Sequence, residues 1–265
     1  MTMNKLLIGI FLVPGLAQAQ AQPQPQAQPA SSGFPIATDR PSFSDASSLV
    51  PVGHPQLEIG LTYTSLSGSH VLTVGEGLFR YAVADRFELR LSNGTYQSVT
   101  QGGTVSGLVD PSIGFKYRFV DGVYTGRNRR PEVTLVAQTT LPGGATVFRV
   151  NRSQPTGILA WSYALDSATT VGGNLVASDL GPTGARFTQY AASLYASRTL
   201  TSTTSVFWEV YGLAPEVAAG PNAGFTDAGV EYLLNQRTQL DFRIGTGFNS
   251  SRDGVWIGAG ISYRF

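Results

Sequence analysis

The sequence predicts an all-β fold, a transmembrane antiparallel up-and-down β-barrel of about 12 strands, carried on a chain that begins with an export signal. Three observations support this. Apolar and polar residues alternate from residue 57 to the carboxy terminus. The charges within the alternating runs all fall on one phase. After the leader, no uninterrupted apolar run approaches the roughly 20 residues that a membrane helix needs.

The leader comes first. Lys5 supplies a positive start, Leu6 to Leu16 form a short apolar stretch broken by Pro14, and Ala17-Gln18-Ala19 or Ala19-Gln20-Ala21 offers a small-x-small cleavage pattern. Residues 1–21 read as a signal peptide, too short to serve as a membrane anchor. Residues 22–36 are rich in Pro and Gln, carry little that could build a core, and read as a disordered tether. Residues 37–56 form a lead-in without clear period, either a plug folded into the barrel or an arm in the periplasm. The barrel itself is expected over 57–265.

In the first strand Leu57, Ile59, Leu61 and Tyr63 share a face opposite Glu58, Gly60, Thr62 and Thr64. The second sets Phe79, Tyr81 and Val83 against Glu76 and Arg80, and a tight turn at 84–86 leads to a third with Phe87, Leu89 and Leu91 against Glu88 and Arg90. Ile113, Phe115, Tyr117 and Phe119 oppose Lys116 and Arg118 in the fourth; Val133, Leu135 and Leu141 oppose Glu132 and Gln138 in the fifth. The sixth to eighth, marked by Trp161, Leu175 and Tyr190, carry no inward charge. Val206, Trp208 and Val210 then oppose Glu209, Ala228, Val230 and Tyr232 oppose Asp227 and Glu231, and Leu240, Phe242 and Ile244 oppose Asp241 and Arg243. The twelfth is the clearest, with Val255, Ile257, Ala259, Ile261, Tyr263 and Phe265 alternating with Trp256, Gly258, Gly260, Ser262 and Arg264.

A soluble β-sandwich also alternates, because its outer faces meet water. Aromatic residues near strand ends on the apolar phase (Tyr63, Phe79, Phe119, Tyr163, Tyr190, Tyr232, Phe265) favour a barrel in lipid, where such residues form interfacial girdles. So do connections that alternate in length, long near 96–107, 142–155, 179–187 and 212–223 and short near 84–86, 166–167 and 199–203. The stretch 120–130 breaks that rule by being long on the short side. The expected lumen is polar.

Composition removes other classes. Lys and Arg number 18 against 17 Asp and Glu, a net charge of +1 that provides no nucleic-acid partner. With no cysteine there is no disulfide, thiolate nucleophile or lipid-modified cysteine.

The order Ala37-Thr38-Asp39-Arg40-Pro41, Gln56-Leu57-Glu58-Ile59-Gly60, Leu78-Phe79-Arg80-Tyr81, Arg86-Phe87-Glu88-Leu89-Arg90, Gly114-Phe115-Lys116-Tyr117 and Leu141-Pro142-Gly143-Gly144 resembles the outer-membrane transporter family named after the MetA pathway of phenol degradation. The resemblance spans roughly residues 37–265. It implies residence in the outer membrane of a Gram-negative bacterium and passive uptake of small solutes, aromatic or hydrocarbon compounds among them. The terminal Tyr263-Arg264-Phe265 resembles the aromatic signal read by barrel assembly machinery. Implied partners are therefore outer-membrane lipids, that machinery and a small-molecule solute, with no cofactor.

The lumen-lining candidates are Glu76, Arg80, Glu88, Arg90, Lys116, Arg118, Glu209, Asp227, Glu231, Asp241 and Arg243. They either line a solute path or pair with one another, with Arg80–Glu76, Glu88–Arg90 and Asp241–Arg243 as neighbours in sequence. Two other functional classes compete: a non-conducting structural or adhesive barrel, and a lipid-modifying enzyme. Enzymatic hydrolysis would need a serine activated by His54 or His70; Ser69-His70 alone makes no triad, so no catalytic residue is assigned. The two histidines have no metal-ligand spacing, so no metal site is assigned either.

Overall fold

The computed structural model describes residues 35–265 apart from 127, 183, 216 and 249–253. The leader and the tether up to residue 34 lie outside the described residues. The strands are β1 (Gln56–Leu66), β2 (Ser69–Val74), β3 (Gly77–Ala84), β4 (Phe87–Asn93), β5 (Tyr96–Thr100), β6 (Thr104–Leu108), β7 (Ser112–Val120), β8 (Glu132–Thr140), β9 (Gln154–Ala164), β10 (Thr169–Leu180), β11 (Phe187–Thr199), β12 (Thr204–Ala214), β13 (Ala223–Asn235), β14 (Thr238–Gly247) and β15 (Gly254–Arg264). All belong to one antiparallel sheet, and β1 pairs with β15 from Gln56↔Arg264 to Leu66↔Gly254, closing it. Closure leaves no edge in the ring that runs from β1 through β3, β4 and β7 to β15, the condition for a sheet to cross hydrocarbon with its backbone groups paired; β6, which pairs with β5 alone, ends a branch outside that ring.

Three staves of the wall are each broken in two, β2 with β3, β4 with β5 and β6 with β7, so fifteen segments make a twelve-stranded barrel. The breaks are local, and two of them depend on glycine while the third, between β6 and β7, falls at Val109-Asp110-Pro111. Gly75 (φ 89) and Gly94 (φ 79) take left-handed backbone, and a Cβ at Gly75 would lie 2.5 Å from the Gly94 carbonyl oxygen. Beyond the breaks β2, β5 and β6 keep pairing and raise the wall on that side. The expected long loop at 96–107 is therefore a hairpin. Its sequence, YQSVTQGGTVSG, is polar because this part of the wall stands beyond the apolar belt.

Every inward and outward assignment made from the alternation agrees with the burial pattern. Leu61, Leu89, Leu175, Trp208, Phe242 and Ile257 are exposed on the outer surface, while their neighbours in sequence turn inward. Tyr63, Phe79, Phe119, Tyr190, Tyr232 and Phe265 are exposed on that same outer phase. Among the described residues of the strands, two charges sit on the outward phase, both at strand ends: Asp179, bound to Arg152 at 2.7 Å and to Arg186, and Arg198, which donates to Thr169 Oγ1 at 2.8 Å. Among the described residues no helix is long and apolar enough to cross a membrane.

Because lipid covers the outer face, the packed core lies in the lumen. Against the expectation of a polar interior, one side of it is apolar: Val136, Ile158, Val176, Ala191 and Leu213 from β8 to β12 form one cluster with Phe43, with Tyr211 and Phe225 packed alongside. The remaining lumen is charged and almost entirely closed to solvent.

Candidate functional site: a lumen filled by the chain's own lead-in

Residues 36–50 occupy the barrel interior. Ile36, Thr38, Asp39, Arg40, Ser44 and Ala46 are wholly buried there. Ile36, assigned from composition to the tether, is thus part of the packed interior. A stretch with so many backbone N–H and C=O groups can be buried only if each finds a partner, and the wall supplies acceptors in the form of carboxylates. Glu58 accepts from the backbone N–H groups of Asp39 (2.9 Å) and Arg40 (3.0 Å), Glu209 from those of Phe43 (2.7 Å) and Ser44 (3.0 Å), and Glu88 from that of Val50 (2.8 Å).

The side chains of the segment complete a cage. Asp39 lies against Lys116 (3.0 Å), Arg80 (3.4 Å) and Arg90. Burial works to raise the Asp39 carboxyl, but the three cations overcome it and hold the group well below the usual carboxylate range. Arg90 also donates to Asp45 at 2.9 Å, where burial prevails over that attraction and pushes the carboxyl up to about 6. Arg40 donates to Glu76 (2.7 Å), to both oxygens of Asp241 (3.3 Å each) and to the Ala259 carbonyl (3.1 Å). Its guanidinium lies against Gly60 and Gly260, which face each other across the β1–β15 seam, and a methyl at either glycine would overlap it.

The segment also follows the circumference. From Thr38, which accepts from Gln239 of β14 (3.0 Å), it touches β15 and β1 through Arg40 and Glu58, then β12 and β11 at Glu209 and Ser193. Asp45 N–H donates to Asn174 of β10 (2.6 Å), Ser47 bonds Ser162 of β9 (2.7 Å) and Thr134 of β8 (2.6 Å), and Ala46 and Ser48 carbonyls accept from Lys116 of β7. Arg80 and Glu88 complete the circuit on β3 and β4. Among the described residues, β1, β3, β4, β7 to β12, β14 and β15 all hydrogen-bond the segment.

The charges chosen from the sequence are therefore brought together, but not as the sequence paired them. Glu76 and Asp241 pair with Arg40 instead of Arg80 and Arg243; Arg80 binds Glu88 (2.9 Å) and Glu58 (3.0 Å). Glu88 does approach Arg90, at 3.5 Å. Arg118 stands apart at the rim with Glu132 (3.3 Å) and Asp121 (3.1 Å). Asp227 lies opposite Glu209 and Glu231 opposite Asp241 in the ladder, and Arg243 donates to Thr62 at 3.1 Å. Tyr263 and Phe265 meet edge to face at 4.9 Å on the outer surface. His70 accompanies Tyr63 on that surface, its Nδ1 3.0 Å from the phenol oxygen. What sequence reasoning missed is Phe43, Ser44, Asp45, Asn174, Ser193 and Tyr211. A usable signal existed in the uneven wall, charged on the early and late strands and free of charge from the sixth to the eighth.

Residues 38–265 match the family described as "Putative MetA-pathway of phenol degradation". The chain belongs to that family. The MetA-pathway match starts at Thr38, so the lumenal segment is part of the family pattern and not an appendage to it. The barrel is similar to an outer membrane channel from Pseudomonas putida F1, with a TM-score of 0.61 and 15% identity over 83% of this chain and 98% of that one. It is also similar to the NanC porin, with a TM-score of 0.53 and 10% identity over 79% of this chain and all of that one (100%). At these identities the likeness is one of fold. A comparison with curated proteins gives no match. A closed barrel with an outward apolar belt and aromatic girdles is the architecture of outer-membrane proteins, and the outer membrane is where this member of the family resides.

Proposed function

We propose that the chain is an outer-membrane channel for passive entry of small solutes of apolar or aromatic character, closed at rest by its own residues 36–50. The observation that carries this reading is the two-sided lumen: a charge cage that grips the segment on one side and an apolar, aromatic-lined wall facing it on the other. Family membership and the channel fold support transport. A purely structural barrel has no need of an apolar zone inside it, since polar side chains alone can fill a lumen. Lipids surround the belt, and barrel assembly machinery reads Tyr263 and Phe265. The lumen charges serve to hold and release the segment and do not line a permanently open path.

The absence of cysteine makes the test clean. Ser44 Oγ and Ser193 Oγ lie 2.5 Å apart, so Ser44→Cys/Ser193→Cys can tie the segment to β11. In vesicles, phenol uptake by the double variant should stop on oxidation and return with reductant. Uptake that ignores the redox state would show that the path bypasses the segment, and a folded wild type that passes nothing would return the chain to the structural class.

A further inference from the structure

Phe43 is the single aromatic residue of residues 36–50, and it is 5% exposed. Its ring lies parallel to that of Tyr211, 4.1 Å between centroids and 2° between planes. Tyr211 in turn stacks on Phe225 (5.1 Å), and Trp256 meets Phe225 edge-on at 5.9 Å. Val136, Ile158, Val176, Ala191 and Leu213, a row across β8 to β12, form with Phe43 one buried apolar cluster. The wall thus receives one aromatic ring, that of Phe43, on the face of Tyr211 within an apolar surround. Around it the segment is tied by the Glu209 carboxylate, which takes the N–H groups of Phe43 and Ser44, and by Asn174 and Ser193 next to it. The multidentate ionic anchoring of Asp39 and Arg40 is set apart, against Glu76 and against β3, β4, β7 and β14.

We propose that the Tyr211 face is the binding site for an aromatic solute, that Phe43 occupies it as an internal stand-in, and that an arriving ring displaces residues 43–45 while Asp39 and Arg40 stay anchored. This rests on the channel reading above. A solute ring recovers on Tyr211 the stacking and burial that Phe43 gives up, and water replaces the Glu209 bonds to the two freed N–H groups. The occupant is covalently attached, so it competes at high effective concentration. The site is consequently weak towards free solute until the occupant leaves, because affinity scales with the fraction of molecules in which it is empty.

The test uses the full chain in detergent micelles with phenol as probe and cyclohexanol, of similar size but with no π-face, as control. Amide hydrogen exchange should accelerate at Phe43 and Ser44 with phenol and remain slow at Asp39 and Arg40; cyclohexanol should do neither. Phe43→Ala should bind phenol about tenfold more tightly than wild type, and Tyr211→Leu should lose the exchange response. Unchanged exchange at Phe43 and Ser44 under phenol that saturates Phe43→Ala would overturn the displacement. An equal response to cyclohexanol would overturn the aromatic class. The exchange measurement on the wild type stands even if a variant fails to fold. If wild-type vesicles take up phenol while exchange is unchanged, the site falls and the channel survives; if they take up none, both fall.

Discussion

Gly260→Ala adds one methyl group at the β1–β15 seam, and the structure says which interaction it removes. The new Cβ overlaps the Arg40 guanidinium, which Glu76, Asp241 and the Ala259 carbonyl fix in place, so the guanidinium must leave. Glu76 and Asp241, 3% and 5% exposed, then stay buried without their cation. Depriving a buried ion pair of one partner costs about 3–5 kcal/mol, and replacing a strand glycine by alanine returns roughly 0.5–1 kcal/mol. The net expectation is a loss of about 2–4 kcal/mol. Denaturant titration of the barrel refolded in lipid vesicles measures it, in four proteins: wild type, Gly260→Ala, Arg40→Ala and the double variant. Without the guanidinium the three atoms nearest the methyl are gone, so Gly260→Ala should be neutral or mildly stabilising in the Arg40→Ala background, which leaves a coupling of about 2 kcal/mol or more. Equal cost in both backgrounds would refute the reasoning, since the methyl would then be damaging the seam itself.

Arg90→Leu removes the cation shared by Asp39 and Asp45 and should cost about 3–5 kcal/mol in the same titration, more than a lumen charge facing water would; a loss below 1 kcal/mol would mean that the cage is solvated. Leu175→Arg places a charge midway along β10 on the lipid side and should cost about 2–4 kcal/mol, unless the sheet is not in hydrocarbon at that height. Deletion of Phe265 should lower the heat-modifiable barrel fraction in outer membranes; unchanged yield would remove its role in assembly.

The wall was legible because period-two alternation with charges confined to one phase has few other causes. Legibility stopped where that period stops. At Gly75 and Gly94 the backbone turns left-handed, alternation breaks, and the polar continuation into β5 and β6 looks like a loop. The lumen charges were found one by one but mispaired, because the partner that organises them lies outside the strands. Asp39, Arg40 and Asp45 stand in TDRPSFSDASS, a stretch with no period, and nothing in the strands announces that Glu58, Glu88 and Glu209 are there to accept backbone N–H groups. Phe43 illustrates the same limit: a lone aromatic among serines reveals nothing about the ring it will stack on until the wall is closed around it.

The circuit of residues 38–50 around the inner wall has a geometric corollary. The girth of a closed sheet is set by strand number and stagger together, and a tether of fixed length bonded to nearly all staves fits one girth. If β15 slid along β1 by the two residues that preserve facing, Gly260 would leave Gly60 and a wall carboxylate would shift by roughly 7 Å. Arg40 could no longer reach both Glu76 and Asp241. The segment therefore works as an internal gauge of shear, rewarding the one alignment in which its ends and its ion pairs are satisfied together. A relative with two more or two fewer strands would need a loop of different length between the residues equivalent to Arg40 and Glu58.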